Sequence, residues 1–169
     1  MEYRFADRMT DLEAMMWGLE RLDPTYRSTM SLVVSFDREP DRAKVRDRME
    51  RVSGRVPRLR DRVVAGPLTM VPPRWEPDPD FQVANHVRDI TYPGPETPGD
   101  LFVVAGALAS EPFDPARPPW RLSFVASENL ATGVPVGVYL TSGSLPRFPI
   151  RMTLFTLFAM AATPKGRKL

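Results

Sequence analysis

The stretch Glu111-Pro-Phe-Asp-Pro-Ala-Arg-Pro-Pro-Trp-Arg-Leu-Ser-Phe-Val125 divides into two halves of opposite character. Its first half is interrupted by prolines, each of which fixes φ and removes a backbone donor, so it forms neither a helix nor a central strand. From Trp120 onward apolar residues alternate with others, and this period of two predicts a strand with one strongly apolar face. The prolines therefore form a rigid corner that leads Trp120 into a sheet strand. On local physics alone, the simplest interpretation is a well-made loop before a core strand.

Helices and strands alternate loosely on both sides of this corner, which predicts an α/β fold with a two-layer mixed sheet and helices. Apolar periodicity predicts helices over Thr10–Arg21, Pro40–Ser53 and Leu101–Ser110. Strands are predicted over Met30–Phe36, around Trp75, from His86 to Tyr92, over Trp120–Ser127 and over Val134–Leu140. A hairpin-type loop at Asn129–Gly133 is predicted to join the last two strands.

Local signals define each of the three predicted helices. In the first helix Thr10 and Glu13 form a capping box, and one apolar face carries Leu12, Met15, Met16 and Leu19. The second helix has a stripe of Val45, Met49 and Val52, with Gly54 as its stop. Gly99-Asp100 is expected to cap the third helix, whose apolar face carries Leu101, Val104, Ala105 and Leu108.

Composition excludes several classes of function. The 169 residues favour one domain, and a net charge of +2 is not the charge density of a nucleic-acid-binding protein. There is no cysteine, which excludes disulfides, thiolate metal sites and cysteine nucleophiles. A single histidine, His86, excludes a histidine-pair metal site. The start of the chain has no apolar signal-peptide core, so we expect a cytoplasmic protein.

A local excess of positive charge lies between Arg38 and Arg62, with ten Lys/Arg against five Asp/Glu. One interpretation is an attraction for phosphate groups or anionic lipid. The other is a solvated helix face, which we favour because acidic residues are interleaved through the run.

Several blocks between Met9 and Leu140 resemble those of one known family. They are Met9–Met15, Val56–Arg60, Trp75-Glu76, Asp78–Phe81, His86–Arg88, Pro112–Asp114 and Arg117–Trp120. In this order they resemble the bacterial wax ester synthase/acyl-CoA:diacylglycerol acyltransferase family, within the CoA-dependent acyltransferases. The resemblance implies the N-terminal half of a chloramphenicol acetyltransferase-like fold. Residues 1–141 would form a partial acyltransferase N-terminal domain, and residues 142–169 a divergent tail.

One departure from the family concerns catalysis. In the family, the strand that resembles Val134–Leu140 runs into His-His-x-x-x-Asp-Gly, whose second histidine deprotonates the acceptor hydroxyl. Here Thr141–Arg147 follows, with no histidine pair and no Asp-Gly. We therefore expect no catalytic residue in this chain, and no activity from the chain alone.

The resemblance implies an O-acyltransferase that moves a fatty acyl group from acyl-CoA, its co-substrate, to diacylglycerol or a long-chain alcohol. It implies no further cofactor and no metal. Its family-motif candidates, as structural or channel positions, are Pro118, Pro119, Trp120, His86 and Arg88. By pKa alone His86 is the one candidate base, but a structural histidine is the favoured interpretation.

Other chemistry and other roles are weaker alternatives. Asp78 and Asp80 are interpreted as solvated loop acids, and Ser142-Gly143-Ser144 lacks the pattern of a nucleophile elbow. The apolar run Met152–Ala162 is too short to span a bilayer. A weak peripheral contact at the inner membrane or lipid bodies is one interpretation, and an uncovered apolar helix on an incomplete domain is the favoured one. The chain could instead be a non-catalytic domain that binds acyl chains or a separately encoded C-terminal half. A decayed, truncated gene product is the last alternative.

Overall fold

The computed structural model describes residues 7–27, 29–36, 40–65, 71–92, 98–127 and 136–142. The helices are α1 (Asp11–Leu22), α2 (Arg42–Arg55) and α3 (Pro98–Ser110). The strands are β1 (Met30–Phe36), β2 (Asp61–Val64), β3 (Arg74–Pro77), β4 (Val87–Tyr92), β5 (Trp120–Ser127) and β6 (Val136–Ser142). Short 3-10 turns at Pro24–Tyr26, Pro57–Arg60 and Val83–Asn85 connect them.

The main sheet has four strands in the order β1-β6-β5-β4. Strand β6 pairs antiparallel with β1 and β5, whereas β4 runs parallel to β5. Strands β2 and β3 form a separate antiparallel pair. This arrangement confirms the predicted α/β class with a mixed sheet. In this register Ser142, at the end of β6, lies opposite both Met30 and Trp120.

Strand β5 is covered on both faces, which its alternation did not predict. Trp120, Leu122 and Phe124 belong to the larger core, together with the buried face of α2. Val125 points the other way and packs with α3 in a second core. Ser123 on that side is also buried. Helix α3 thus adds a cover on the face that the sequence pattern left open.

Helix α1 turns a different side to the core from the one its apolar pattern indicates. The predicted capping box is present, with Thr10 and Glu13 bonded to each other's backbone. Glu13 is buried, and Ala14 and Trp17 pack against the core. Leu12 and Met15, from the predicted apolar face, are 56% and 54% exposed. Periodicity alone cannot tell which side of a helix meets the core when a capping glutamate occupies that side.

The other predicted boundaries shift by a few residues. Helix α2 buries Val45, Met49 and Val52 as predicted, but it continues through Gly54 to Arg55. Helix α3 begins at Pro98, so Gly99-Asp100 lies in its first turn and does not cap it. A proline at the start of a helix loses no intrahelical bond and favours this earlier start. The predicted strand around Trp75 is confirmed as β3.

Two predictions fall outside the described residues. The loop at Asn129–Gly133 is one, although the strands it joins do pair antiparallel. The divergent tail is the other, apart from Ser142, which ends β6. The division of the chain at residue 141 therefore stays a prediction. Within the described ranges, no helix combines the length and apolar character needed to cross a bilayer.

Candidate functional site

Trp120 is the centre of the candidate site. The proline corner brings it to the first position of β5, where Pro118 and Pro119 are buried beside it in the chain. Its side chain is 2% exposed, and its indole N–H donates to the carbonyl oxygen of Leu59 at 2.8 Å. Leu59 lies in the turn Pro57–Arg60. The indole therefore ties the start of β5 to the turn after α2.

His86 lies flat against Trp120. Their rings are 4.3 Å apart at an interplanar angle of 15°. The Nδ1 atom of His86 is 2.9 Å from the carbonyl oxygen of Trp120, and a carbonyl can only accept, so Nδ1 carries the proton and donates it. The backbone N–H of Leu122 donates to the His86 carbonyl at 2.8 Å. His86 thus joins the start of β4 to the start of β5.

Phe81 completes the cluster and contacts both other rings. Its ring stacks on His86 at 5.3 Å and lies tilted to Trp120 at 6.4 Å. The guanidinium of Arg60 lies over Phe81, 5.0 Å from the ring centroid. We call Phe81, His86 and Trp120 the aromatic cluster. Through Leu59 and Arg60 it also contacts a fourth sequence block. The blocks that meet here are Val56–Arg60, Asp78–Phe81, His86–Arg88 and Arg117–Trp120.

The environment of His86 disfavours its charged form. Burial lowers the pKa of its imidazole, while the hydrogen bond to the Trp120 carbonyl acts in the opposite direction. Its Nε2 atom has no hydrogen-bond partner among the described residues. The side chain is 3% exposed, so water does not reach the free lone pair. As a neutral ring, this histidine holds the starts of β4 and β5 together.

Arg88 lies on the opposite face of the sheet, away from the aromatic cluster. Its Nε donates to the hydroxyl of Ser123 at 3.0 Å. It forms an ion pair with Glu111 at 2.8 Å, and Glu111 also accepts from Arg121 at 2.7 Å. Burial and the neighbouring Arg88 lower the pKa of Arg121. Four of the five candidate residues therefore lie together, namely Pro118, Pro119, Trp120 and His86. The fifth, Arg88, lies apart from them.

Asp78 differs from the sequence expectation, whereas the basic run between Arg38 and Arg62 agrees with it. Asp78 is buried rather than solvated, and its carboxylate accepts from the backbone N–H of Asp80 at 3.0 Å, so it organises the turn before Phe81. The basic run is interleaved with ion pairs, as the second interpretation required. Its pairs among the described residues are Arg42 with Asp89, Lys44 with Asp41, Arg46 with Asp89, Arg58 with Asp61 and Arg60 with Glu50.

Sequence reasoning missed the roles of Leu59 and Phe81. The carbonyl of Leu59 is the acceptor for Trp120, and Phe81 is the second ring against His86. Both residues stood inside blocks that the sequence had marked, so the signal was present. A backbone acceptor 61 residues from its donor cannot be assigned without the fold, and the contact between Phe81 and His86 depends on the turn Val83–Asn85 between them. Among the described residues, no cluster of three His, Asp or Glu side chains could hold a metal ion.

Comparison with known proteins identifies the family. The model of the wax ester synthase/diacylglycerol acyltransferase catalytic domain matches residues 9–131. The chain belongs to this family. A putative diacylglycerol O-acyltransferase of Mycobacterium tuberculosis strain H37Rv is 35% identical over 130 residues, which covers 77% of this chain. A probable diacylglycerol O-acyltransferase of the same strain is 34% identical over 70 residues.

Solved structures show the same fold. A wax ester synthase/diacylglycerol acyltransferase from Marinobacter aquaeolei VT8 superposes with a TM-score of 0.63 over 97% of this chain, at 16% identity. The first condensation domain of the calcium-dependent antibiotic synthetase gives a TM-score of 0.64 over 97% of this chain, at 17% identity. These matches confirm the acyltransferase-like fold.

The chain spans about a quarter of the first M. tuberculosis relative, 26% of its length, and 43% of the Marinobacter structure. The family match ends at residue 131, before β6.

Proposed function

We propose that this chain forms the N-terminal part of an O-acyltransferase. The complete site would transfer a fatty acyl group from acyl-CoA to the hydroxyl of diacylglycerol or of a long-chain alcohol. Membership of the family and the names of its relatives support this proposal. Acyl-CoA is the co-substrate and a neutral lipid is the acceptor.

The observation that carries the proposal is where the family blocks meet. Four of them converge on Trp120, which lies opposite Ser142 at the end of β6. By resemblance, this strand leads into the catalytic histidine motif in the family. Here the chain continues with Gly143-Ser144, and His86 is its single histidine. The scaffold around the reaction centre is therefore present, and the general base is not in these 169 residues.

The chemistry shows what is missing. A base takes the proton of the acceptor hydroxyl, the oxygen attacks the thioester carbonyl, and CoA leaves as its thiolate while the ester forms. Such a base contributes roughly 10²–10⁴-fold to the rate. His86 cannot serve, because its burial withdraws the lone pair of Nε2 from substrate. The 169-residue chain taken alone is therefore inactive, and the histidine comes from another polypeptide segment, such as a separately encoded C-terminal half.

The five candidate residues then have structural roles. Pro118, Pro119, Trp120 and His86 fix where β5 and β4 begin, and Arg88 holds the other face through Glu111 and Ser123. The site of action follows from the substrates. A cytoplasmic protein that meets neutral lipid works peripherally, at the inner membrane or at lipid bodies.

A non-catalytic binding domain is the second candidate. It is favoured by the outer side of α3, where Phe102 and Val103 are 67% and 68% exposed. Contiguous exposed apolar side chains often mark a binding surface. On this hypothesis the chain binds an acyl chain or a partner protein, and it never takes part in acyl transfer.

A chimera separates the two candidates. Residues 9–131 replace the matching segment of the M. tuberculosis relative that is 35% identical, and CoA release from acyl-CoA is measured with diacylglycerol as acceptor. An acyltransferase part supports release above that of the same chimera carrying Trp120→Ala, measured beside the parent enzyme. If the parent is active and the folded chimera is not, the segment does not serve as an acyltransferase part, and the binding domain is preferred.

A further inference from the structure

Strand β1 forms one edge of the main sheet. Strand β6 pairs with it on one side, and within the described ranges no strand pairs with it on the other. Leu32, Val33 and Val34 pack against the two cores but stay only partly buried. In the inner strand β5, by contrast, Leu122 and Phe124 are 0% and 1% exposed. A further strand beside β1 would complete the burial of its side chains and pair its outward N–H and C=O groups.

Strand β1 lacks the features that usually protect an edge, which are charged residues, proline, a β-bulge or a short strand. Its seven residues, Met30–Phe36, include no charged residue, no proline and no glycine. All of them pair with β6 one to one, so no bulge turns the edge away. At the opposite edge, β4 carries Arg88 and Asp89, and Asp89 forms ion pairs with Arg42 and Arg46 of α2. One edge of the sheet is therefore protected, and the edge formed by β1 is open.

The sequence of β1 matches itself when a second copy runs in the opposite direction. An antiparallel pair centred on Val33 places Met30 opposite Phe36, Ser31 opposite Ser35 and Leu32 opposite Val34. Serine thus meets serine, and each apolar residue meets an apolar residue. Opposite residues of an antiparallel pair lie on the same sheet face, so the face that packs on the larger core continues from one copy to the other. A slip by one residue would join that face to the one that packs on the second core.

We propose that two copies of this chain associate through β1, with the two strands antiparallel about Val33. Their four-stranded sheets then form one continuous sheet across a two-fold axis. Such a contact is self-complementary and closed, so it gives a dimer and not a filament. Backbone hydrogen bonds supply the affinity, and the matched side chains fix the register. This interaction surface is independent of acyl transfer and goes beyond the proposed function.

The absence of cysteine allows the register to be tested in the full chain. Val33→Cys places a thiol beside the two-fold axis, where opposite Cα atoms are about 4.5–5.5 Å apart, a distance that a disulfide spans. Ser31→Cys is the matched control, because the two copies of this position would lie about 13 Å apart along the strands, too far for a disulfide. Mild oxidation should convert the Val33→Cys protein to a covalent dimer and leave Ser31→Cys monomeric. Unspecific collision would favour Ser31→Cys instead, since Ser31 is the more exposed side chain.

A lysine on the edge provides the second arm. Light scattering over a dilution series should show a dimer of the 19.1 kDa chain. Ser31→Lys protects the edge and should convert this dimer to monomer. Thr91→Lys, at an exposed position of the opposite edge strand β4, should leave the dimer intact. Circular dichroism checks that each variant is folded.

A second pair of thiols keeps the register test available if Val33→Cys disturbs folding. Leu32→Cys and Val34→Cys chains are then mixed, because these two positions lie opposite each other in the proposed pair, and only the mixture should cross-link. A chain that is monomeric at all concentrations would overturn the proposal. Cross-linking of Ser31→Cys as fast as that of Val33→Cys, or a dimer that Ser31→Lys leaves intact, would overturn it as well.

Discussion

Replacing Trp120 by alanine tests the aromatic cluster most severely. The side chain is 2% exposed, stacks on His86 at 4.3 Å and donates to Leu59. Removal of a buried tryptophan costs about 3–5 kcal/mol. The Leu59 carbonyl also loses its donor, and a buried unsatisfied group costs about 1–3 kcal/mol. We therefore expect Trp120→Ala to lower the free energy of unfolding by about 4–8 kcal/mol.

The assay is urea unfolding followed by far-ultraviolet circular dichroism, because the substitution removes a fluorescent reporter. Trp120→Phe is the matched variant. It keeps an aromatic ring against His86 and loses the hydrogen bond, so we expect a smaller loss of about 1–3 kcal/mol. Phe102→Ala, at an exposed position, should change stability by less than about 0.5 kcal/mol. A loss below about 1 kcal/mol for Trp120→Ala would refute the reasoning, because the indole would then lie outside the packed core.

Two further predictions concern His86 and Thr10. Burial lowers the pKa of His86, so the folded protein binds fewer protons than the unfolded chain, and stability should fall as the pH drops below about 6.5, the pKa of an unburied histidine. Unfolding between pH 7.5 and pH 5 should show this slope, and His86→Phe should flatten it; an equal slope in both proteins would contradict the assignment. Thr10→Ala removes the capping box of α1 and should cost about 1 kcal/mol in urea unfolding. Thr25→Ala, an exposed control that keeps the backbone bond to Asp23, should cost clearly less, and equal costs would rule out the cap as the cause.

Local signals in the sequence located most elements of the fold. The alternation at Trp120–Ser127, the capping box at Thr10 and the stripe of α2 each correspond to an observed element. Such signals depend on residues close together in the chain, so they can be read without the fold. The family blocks, matched over residues 9–131, also indicated the architecture correctly.

The predictions that were wrong or incomplete concern which sides of the helices and strands pack against each other. The apolar pattern of α1 did not reveal that Glu13 and Trp17 face the core, because that choice depends on the sheet and on the turn at Arg27. The second cover on β5 was missed because it comes from α3, a separate element. The partners of Trp120 were also out of reach, since Leu59 and His86 lie far from it in the chain. Tertiary packing decides these points, and a local pattern carries no information about it.

Acyl transfer by the purified 169-residue chain is the most direct test of the central claim. The protein is incubated with acyl-CoA and diacylglycerol, and released CoA is detected by a thiol reagent, which finds no cysteine in the protein itself. Our account predicts no release above the rate without protein, because the scaffold is present and the general base is not. Sustained turnover that disappears in a folded His86→Ala variant would contradict it, since the buried histidine would then be the catalytic base.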